Sequence, residues 1–343
     1  MEFFAGANTE KGFVSIFDRV LAGADRLYII KGTSGCGKST FMKTIASEAE
    51  ERGLAAHRVY CSGDPDSLDA VIVPELRIAA ADGTAPHVLE PKNPVLRERL
   101  IDLGAFIDEK PLLPHGDELA AITAQKAFHY GAAYRLLGAA GAVCKTAGAL
   151  ASYDEAAIKR AARRAVDKYA PSGGEGDGQA VFASAFTAEG LKILPCFGRA
   201  EALIPLGNDI RAAKLFLKFA AEYARGSKKE HIVSLCATNA EEYDSLYFPR
   251  DGVLFTLLPA PPCAEYSYSK PQTPARFCTA SKETKKRVRE LDSLAAGIEA
   301  AAQKELAAAR ALHGKAEEIY VSALCTDALR EFTGKEVKRI LGE

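Results

Sequence analysis

The 343-residue sequence lacks long apolar runs, an excess of charge of either sign and any Cys-x-x-Cys pair. Its longest apolar stretches, such as residues 136–144, fall short of the roughly 18–20 residues that a membrane-spanning helix requires. The segment Met1–Phe4 has no basic stretch followed by an apolar core, so we expect no secretory signal. We therefore expect a cytoplasmic protein without a membrane partner.

The charge balance argues against a nucleic-acid partner, because 44 Lys and Arg face 45 Asp and Glu. Proteins that bind nucleic acid through phosphate contacts usually carry a basic excess or patch. The basic cluster at residues 282–289 fits a solvated helix face better. The eight cysteines lack zinc-ligand spacing, and the chain is too long for their even number to indicate a disulfide framework, so we expect reduced thiols.

Two segments of the sequence repeat each other. Residues 4–12 match residues 182–190 at five of nine positions, and the match continues at one fixed offset after a three-residue deletion. Matched positions that share a residue type include Gly32 and Gly207, Phe41 and Phe216, Cys61 and Cys236, and Asp69 and Asp244. The register holds for more than fifty residues, which indicates two divergent copies of one unit.

Each copy has an α/β part followed by a helical part. In the first copy we expect strands at residues 27–31, 55–61 and 78–81, a helix at 38–52, and a helical hairpin over 118–169 broken near 148–152. The second copy has a matching helical pair over about 281–341. Strands that alternate with helices predict parallel crossovers and a sheet covered on both faces.

The predicted architecture is an α/β fold in two tandem divergent copies, each followed by a helical hairpin. The boundaries follow from the repeat and from a glycine-rich stretch between the copies. They are a first copy with its hairpin at 1–172, a linker at 173–179, and a second copy with its hairpin at 180–343.

The strongest motif lies between the first predicted strand and the first predicted helix. It reads Gly32-Thr33-Ser34-Gly35-Cys36-Gly37-Lys38-Ser39-Thr40. This string fits G-x-x-x-x-G-K-[ST], the phosphate-binding loop or Walker A motif. Its glycines allow the backbone amides and the helix N-terminus to face phosphate oxygens. We expect Lys38 to reach the β- and γ-phosphates of ATP and Ser39 to ligate Mg²⁺. The motif therefore predicts an α/β fold of the P-loop NTPase type, with the nucleotide-binding domain at 1–172 and a degenerate copy at 180–343.

Acidic residues are needed to complete such a site. Asp82 ends an apolar strand, so we expect it at the sheet edge near the loop as the partner of Mg²⁺, although an ordinary Asp-Gly turn is the alternative. A carboxylate of Asp64 or Asp66 would act as general base or hold a water of the Mg²⁺ shell, or the segment would cap a helix. His87 would contact the γ-phosphate or make a structural hydrogen bond. Gly83 stands where many ATPase motors carry the water-activating Glu, so we expect slow turnover.

The second copy serves as an internal control because its proposed chemical positions have changed. Lys38 corresponds to Ala213, Gly37 to Ala212, Asp82 to Leu257 and His87 to Pro262. A one-residue slip would bring Lys214 to the lysine position without restoring the glycine. The sequence therefore predicts one nucleotide site per chain, in the first copy.

The motifs together resemble a group of bacterial tandem P-loop ATPases. The residues that carry the resemblance are Phe3-Phe4-Ala5-Gly6, the loop 32–40, the segment 61–69, Pro74-Glu75-Leu76 and the segment 82–87. The resemblance covers most of the chain and implies ATP binding and hydrolysis without naming a substrate. Members of the group carry the loop in both halves, and this chain departs from them in its second half.

Two other functions remain open from the sequence. One is a small-molecule kinase in which Asp64 or Asp66 deprotonates an acceptor hydroxyl, and the other is a nucleotide-gated scaffold that barely hydrolyses ATP. The helical hairpins offer surfaces for an unknown protein partner.

We also expect the degenerate half to cover the site, with Arg199 or Arg211 as an arginine finger unless both are solvated surface residues.

Overall fold

The computed structural model describes residues 1–173, 176, 178–207, 209–259 and 266–342. The elements of the first unit are β1 (Glu2–Phe4), β2 (Gly6–Thr9), β3 (Gly12–Ser15), α1 (Phe17–Val20), β4 (Arg26–Lys31), α2 (Lys38–Glu51), β5 (His57–Tyr60), β6 (Leu68–Val73), β7 (Ile78–Asp82), β8 (Glu98–Asp102), α3 (Gly116–Leu150) and α4 (Glu155–Tyr169). The elements of the second unit are β9 (Gly178–Val181), β10 (Ser184–Thr187), β11 (Gly190–Ile193), β12 (Ala202–Pro205), α5 (Ile210–Gly226), β13 (His231–Leu235), β14 (Tyr243–Phe248), β15 (Val253–Thr256), β16 (Ser267–Tyr268), α6 (Lys282–Ser322) and α7 (Thr326–Ile340).

The protein is an α/β protein with two six-stranded sheets that share one strand order. The first sheet runs β1-β5-β6-β7-β4-β8, and the second runs β9-β13-β14-β15-β12-β16. Each strand of the first sheet therefore has a counterpart at the same place in the second. A separate two-stranded hairpin also belongs to each unit, β2 with β3 and β10 with β11.

Both sheets are mixed, so the expectation of purely parallel crossovers was wrong. Strand β4 pairs in parallel with β7 and β8, but β6 runs antiparallel to both β5 and β7. The connections on either side of β6 are too short to hold a crossover helix, and short connections join antiparallel strands. Strand β6 begins at Leu68, so the helix expected after Asp64 and Asp66 is absent and their proposed capping role was wrong.

The predicted helices are present with small shifts at their ends. Helix α2 begins at Lys38 as expected, and a break at residues 151–154 separates the long helix α3 from α4. In the second unit, Ser281 caps α6 by accepting a hydrogen bond from the amide of Thr284. The glycine-rich linker is described only in part, because Gly174, Glu175 and Asp177 lie outside the described residues.

The contacts between the two units follow a local two-fold axis. At the outer edges of the sheets, Phe4 and Phe182 exchange backbone hydrogen bonds of 2.8 and 3.1 Å. These phenylalanines occupy the same position in the repeat, and a contact between equivalent residues is what a two-fold axis generates. The long helices α3 and α6, which also correspond, pack against each other along their length.

Each unit gives its last helix to the other unit. Helix α4 packs on α5, where Ile158 joins the core around Phe216. Helix α7 packs on α2, where Val337 and Ile340 join the core around Phe41. The apolar face of each helix is therefore buried against the partner unit, and the two α/β parts depend on each other for burial.

None of the described helices is both long enough and apolar enough to span a membrane.

Candidate functional site

The glycine-rich loop of residues 32–37 connects β4 to α2. Gly35 and Gly37 have φ angles of +72° and +88°, which belong to the left-handed region that residues with a Cβ rarely adopt. No side chain caps the N-terminus of α2, whose capping residue is Gly37. The side chain of the capping residue therefore accepts no hydrogen bond from the first helical turn, an arrangement that suits a bound anion.

Lys38 points back into this loop. Its Nζ donates hydrogen bonds to the carbonyl oxygens of Gly32 at 3.1 Å and Thr33 at 2.7 Å. The same ammonium lies 3.7 Å from Asp82 Oδ2, and both side chains are largely buried. The structure thus brings the predicted lysine and the predicted carboxylate together, at the C-terminal ends of neighbouring parallel strands.

Ser39 and Asp82 offer oxygen atoms of the kind that Mg²⁺ prefers. Ser39 Oγ accepts a hydrogen bond from the Leu68 amide at 3.0 Å, which fixes the hydroxyl at the start of α2. Asp82 Oδ1 accepts from the amide and hydroxyl of Thr84 at 2.8 and 2.6 Å, leaving Oδ2 toward Lys38. Among the described residues no group of three or more His, Cys, Asp or Glu side chains could hold a metal alone. This donor set fits a hard cation that takes its remaining ligands from phosphate and water.

Helices α6 and α7 of the second unit cover the loop. A Cβ built on Gly35 would lie 2.8 Å from Val321 Cγ2, and one built on Gly37 would lie 3.0 Å from Leu329 Cδ2. The second half therefore contacts the loop itself, in agreement with the expectation that residues 180–343 cover this site.

The loop opens into a cavity of about 830 Å³ between the sheet edge and the two long helices. Residues from the loop, from the ends of β5 and β7, and from α3 and α6 line it. Its volume lies within the range of about 300–1,000 Å³ that small-molecule sites occupy. The cavity extends beyond the loop to residues of α3 and α6, so it has room for more than a phosphate at the N-terminus of α2.

Arg310 of α6 holds the segment after β5. Its guanidinium lies 2.9 Å from Asp64 Oδ1 and 3.4 Å from Asp66 Oδ2, and it also pairs with Glu189. Asp64 lines the cavity and accepts a further hydrogen bond from Ser67 Oγ at 2.6 Å. The side chain of Asp66 is 85% exposed and is not part of the cavity wall. Of the two carboxylates expected here, Asp64 is the one that faces the cavity.

His87 makes a structural contact at the edge of the cavity. Its ring lies between those of Phe13 and Phe17, at centroid distances of 4.9 and 4.2 Å. Its Nε2 lies 3.0 Å from Asp69 Oδ2, and both side chains are almost completely buried. Of the two roles expected for His87, a γ-phosphate contact and a structural hydrogen bond, this geometry matches the structural hydrogen bond.

The long helices add polar residues that the motif analysis missed. Helix α6 places Arg310, His313 and Glu317 on the cavity, and α3 places Lys126 and Tyr130 there. Burial lowers the pKa of Lys126 and raises that of Tyr130 to about 12. Spacings of three or four residues put such side chains on one helix face, so polar positions on these Ala-rich helices were the available signal.

The arginines expected at this site lie elsewhere. Arg211 is bound to Asp292, with Nη1 3.0 Å from Asp292 Oδ2. Arg199 is exposed and lies near the amino group of Met1. Neither residue lines the cavity, so the proposal of an arginine finger at these positions was wrong.

The corresponding loop of the second unit has a different structure. Asp209 caps α5, and its Oδ1 accepts hydrogen bonds from the Ala212 amide at 3.1 Å and from the Tyr153 hydroxyl at 2.9 Å. Lys214 pairs with Glu242 and lies 3.5 Å from Cys236 Sγ. The matched positions Asn208, Ala260, Pro261 and Pro262 lie outside the described residues.

No family model, curated protein or solved structure matches this chain. The resemblance to tandem P-loop ATPases therefore stays a prediction from the motifs.

Proposed function

We propose that the protein binds one nucleoside triphosphate, with ATP as the expected nucleotide, together with Mg²⁺ at the loop of the first unit and hydrolyses it slowly. The observation that carries the proposal is the uncapped N-terminus of α2 with Lys38 and Asp82 at its mouth. An unneutralised helix N-terminus beside a lysine attracts phosphate, and a carboxylate next to it favours the accompanying cation.

The roles follow from the contacts. The amides of residues 33–38 and the ammonium of Lys38 would hold the β- and γ-phosphates, and Lys38 would exchange its bonds to loop carbonyls for phosphate oxygens. Ser39 Oγ and Asp82 Oδ2 would hold Mg²⁺ directly or through its water shell, and the metal would neutralise charge on the phosphates. No carboxylate follows Asp82 to activate a water molecule, since the next residue is Gly83. We therefore expect slow hydrolysis.

The test is nucleotide binding and turnover with the purified full-length chain. Calorimetry with ATP or ADP and Mg²⁺ is expected to give saturable binding, and phosphate release is expected to depend on Mg²⁺. If neither nucleotide binds at millimolar concentration, the proposal is wrong. If ATP binds without measurable phosphate release, the nucleotide-gated scaffold replaces the hydrolase.

The extent of the cavity favours one further candidate, a small-molecule kinase. The cavity continues from the loop past Asp64 to Tyr134 and Asn8, whose side chains hydrogen-bond at 3.1 Å. A hydroxyl compound in this part would attack the γ-phosphorus while its proton passes to Asp64, and the β,γ-bridging oxygen would leave with ADP. Incubation with γ-labelled ATP and glycerol, ribose, adenosine, inositol or ethanolamine tests this candidate. Label that appears only in inorganic phosphate favours hydrolysis.

A further inference from the structure

Three elements that are distant in sequence converge at the tip of the loop. Lys126 Nζ of α3 lies 3.0 Å from His313 Nδ1 of α6, and that same nitrogen lies 3.5 Å from Ser34 Oγ. All three residues line the cavity. The two long helices therefore contact each other and the loop through one small polar group.

The charge of Lys126 has no carboxylate partner among the described residues. The hydrogen bond described for its ammonium is the one to His313, and burial alone lowers its pKa, with no acidic neighbour to oppose the shift. Two other cations of the cavity wall are neutralised, Lys38 by Asp82 and Arg310 by Asp64 and Glu189. The exposed Lys43 also lines the cavity and donates a hydrogen bond to the carbonyl oxygen of Asp66. A half-buried ammonium without a counter-ion is unfavourable, and an anionic ligand would stabilise it.

His313 is suited to direct that ammonium. Burial, together with the nearby charges of Lys126 and Lys38, lowers its pKa, so the imidazole is neutral near pH 7. A neutral ring that accepts from Lys126 through Nδ1 carries its proton on Nε2, which makes the ring a second donor. The pair thus combines one positive charge with one neutral donor.

We propose that Lys126 and His313 form a binding site for the terminal phosphate of the nucleoside triphosphate, contributed by α3 and α6. The inference rests on the proposed function of the loop. Asp82, the carboxylate that would hold Mg²⁺, lies on β7 next to β4, and Ser34 of the loop lies 3.5 Å from His313. A terminal phosphate would extend from the loop into the cavity, toward the two helices that carry these residues.

The ion pairs of two other lysines support the assignment by comparison with Lys126. Lys145, which also lies on α3, is paired with Glu10 at 2.7 Å, and Lys214 of the second unit is paired with Glu242. Lys214, in the segment that corresponds to the loop, therefore has an internal carboxylate partner, whereas Lys126 beside the intact loop has none among the described residues.

The experiment compares a triphosphate with a diphosphate in the full-length protein. Calorimetry measures the Kd of a non-hydrolysable ATP analogue and of ADP, each with Mg²⁺, for the parent, Lys126→Ala, Lys126→Arg and His313→Ala. We expect Lys126→Ala to weaken the analogue by about tenfold to a hundredfold, as for a lost charged hydrogen bond, and ADP by less than threefold. Lys126→Arg is expected to retain most of the preference for the triphosphate analogue over ADP. His313→Ala is expected to lose part of that preference because His313 also positions the Lys126 ammonium.

The matched control is Lys145→Ala, which removes an exposed lysine from the same helix and is expected to change neither Kd. ADP binding by each variant shows that the protein is folded. Equal weakening of both ligands by Lys126→Ala, or no change in either, overturns the inference while the loop proposal stands. Failure of the parent to bind either ligand overturns the loop proposal itself.

Discussion

The glycine-rich loop before α2 and the segment before α5 lie at the same place in two sheets of identical strand order. They differ in whether a charged side chain of the protein caps the helix that follows. In the first unit, residues 32–37 form an open turn before the 14-residue helix α2, and no side chain caps that helix. In the second, residues 206–209 separate β12 from the 17-residue helix α5, and the carboxylate of Asp209 caps it. The second unit thus supplies its own anion where the first leaves a place for one.

The same contrast holds for the cation. Ser39, the second residue of α2, carries a hydroxyl, whereas the position that corresponds to it in the repeat carries Lys214, whose ammonium pairs with Glu242. An internal ammonium and an internal carboxylate together replace the metal and the phosphate proposed for the first unit. The carboxylate of Asp209 and the ammonium of Lys214 thus have partners within the protein, which stabilise this segment without a ligand.

The exchange of helices predicts that each half depends on the other. Ile158→Ala in α4 and Ile340→Ala in α7 each remove a buried side chain from the partner unit's core. We expect each to lower the free energy of unfolding by about 2–5 kcal/mol. Urea denaturation measures this loss, and Leu294→Ala at an exposed position of α6 serves as the control. A loss from one substitution alone would mean that the dependence runs in one direction.

The loop lysines are expected to differ most in nucleotide affinity. Lys38→Ala removes the ammonium at the uncapped helix and is expected to weaken ATP binding by about a hundredfold. Lys214→Ala breaks only an internal ion pair and is expected to change the affinity less than twofold. Titration with a fluorescent ATP analogue measures the affinity of both variants. Comparable weakening by the two substitutions would contradict the expected difference between the two units.

Asp82 is expected to act on turnover more than on binding, because its proposed role is on the metal. Asp82→Asn removes the charge but keeps the shape, so we expect phosphate release to fall about tenfold or more. The Kd for ATP is expected to change less than threefold. Its counterpart in the repeat is Leu257, and Leu257→Ala serves as the control for activity. Unchanged turnover in Asp82→Asn would assign the metal to another carboxylate.

The buried carboxyl group of Asp244 predicts a pH dependence of stability. Burial raises the pKa of Asp244 from its usual 3.8 to about 7, against hydrogen bonds from Ser234 and Ser184 that lower it. The folded state then holds the proton more tightly than the unfolded state between these values. The free energy of unfolding is therefore expected to fall as pH rises from about 4 to about 7, by at most about 1.4 kcal/mol per pH unit.

Asp244→Asn removes this titration, so denaturation curves of parent and variant across pH 4–8 isolate it. A parent-to-variant difference that does not change with pH would contradict the expectation.

The sequence predicted the parts of the fold that depend on local pattern. The helix after the loop and the two helical pairs follow from periodicity and glycine placement, whereas the expected alternation of strands and helices does not hold from β5 to β8. Strand β6 was missed because its polar start, Ser67-Leu68-Asp69, resembles a capped helix. Strand direction depends on the length of connections at both ends, which periodicity does not report.

The candidate site was predictable only where one segment carries the chemistry. The loop and Asp82 lie within about fifty residues and meet because parallel strands end at one edge. Arg310, His313 and Lys126 come to line one cavity with the loop through the packing of α3 on α6, a contact between distant parts of the chain. No local pattern states which face of a long helix will cover the site.

The central claim is that one unit binds nucleotide and the other does not. Isothermal titration calorimetry of the full-length protein with Mg²⁺ and a non-hydrolysable ATP analogue tests it by counting sites. The account predicts one site per chain, lost in Lys38→Ala and kept in Lys214→Ala. Two sites per chain, or one site that persists in Lys38→Ala, would contradict it.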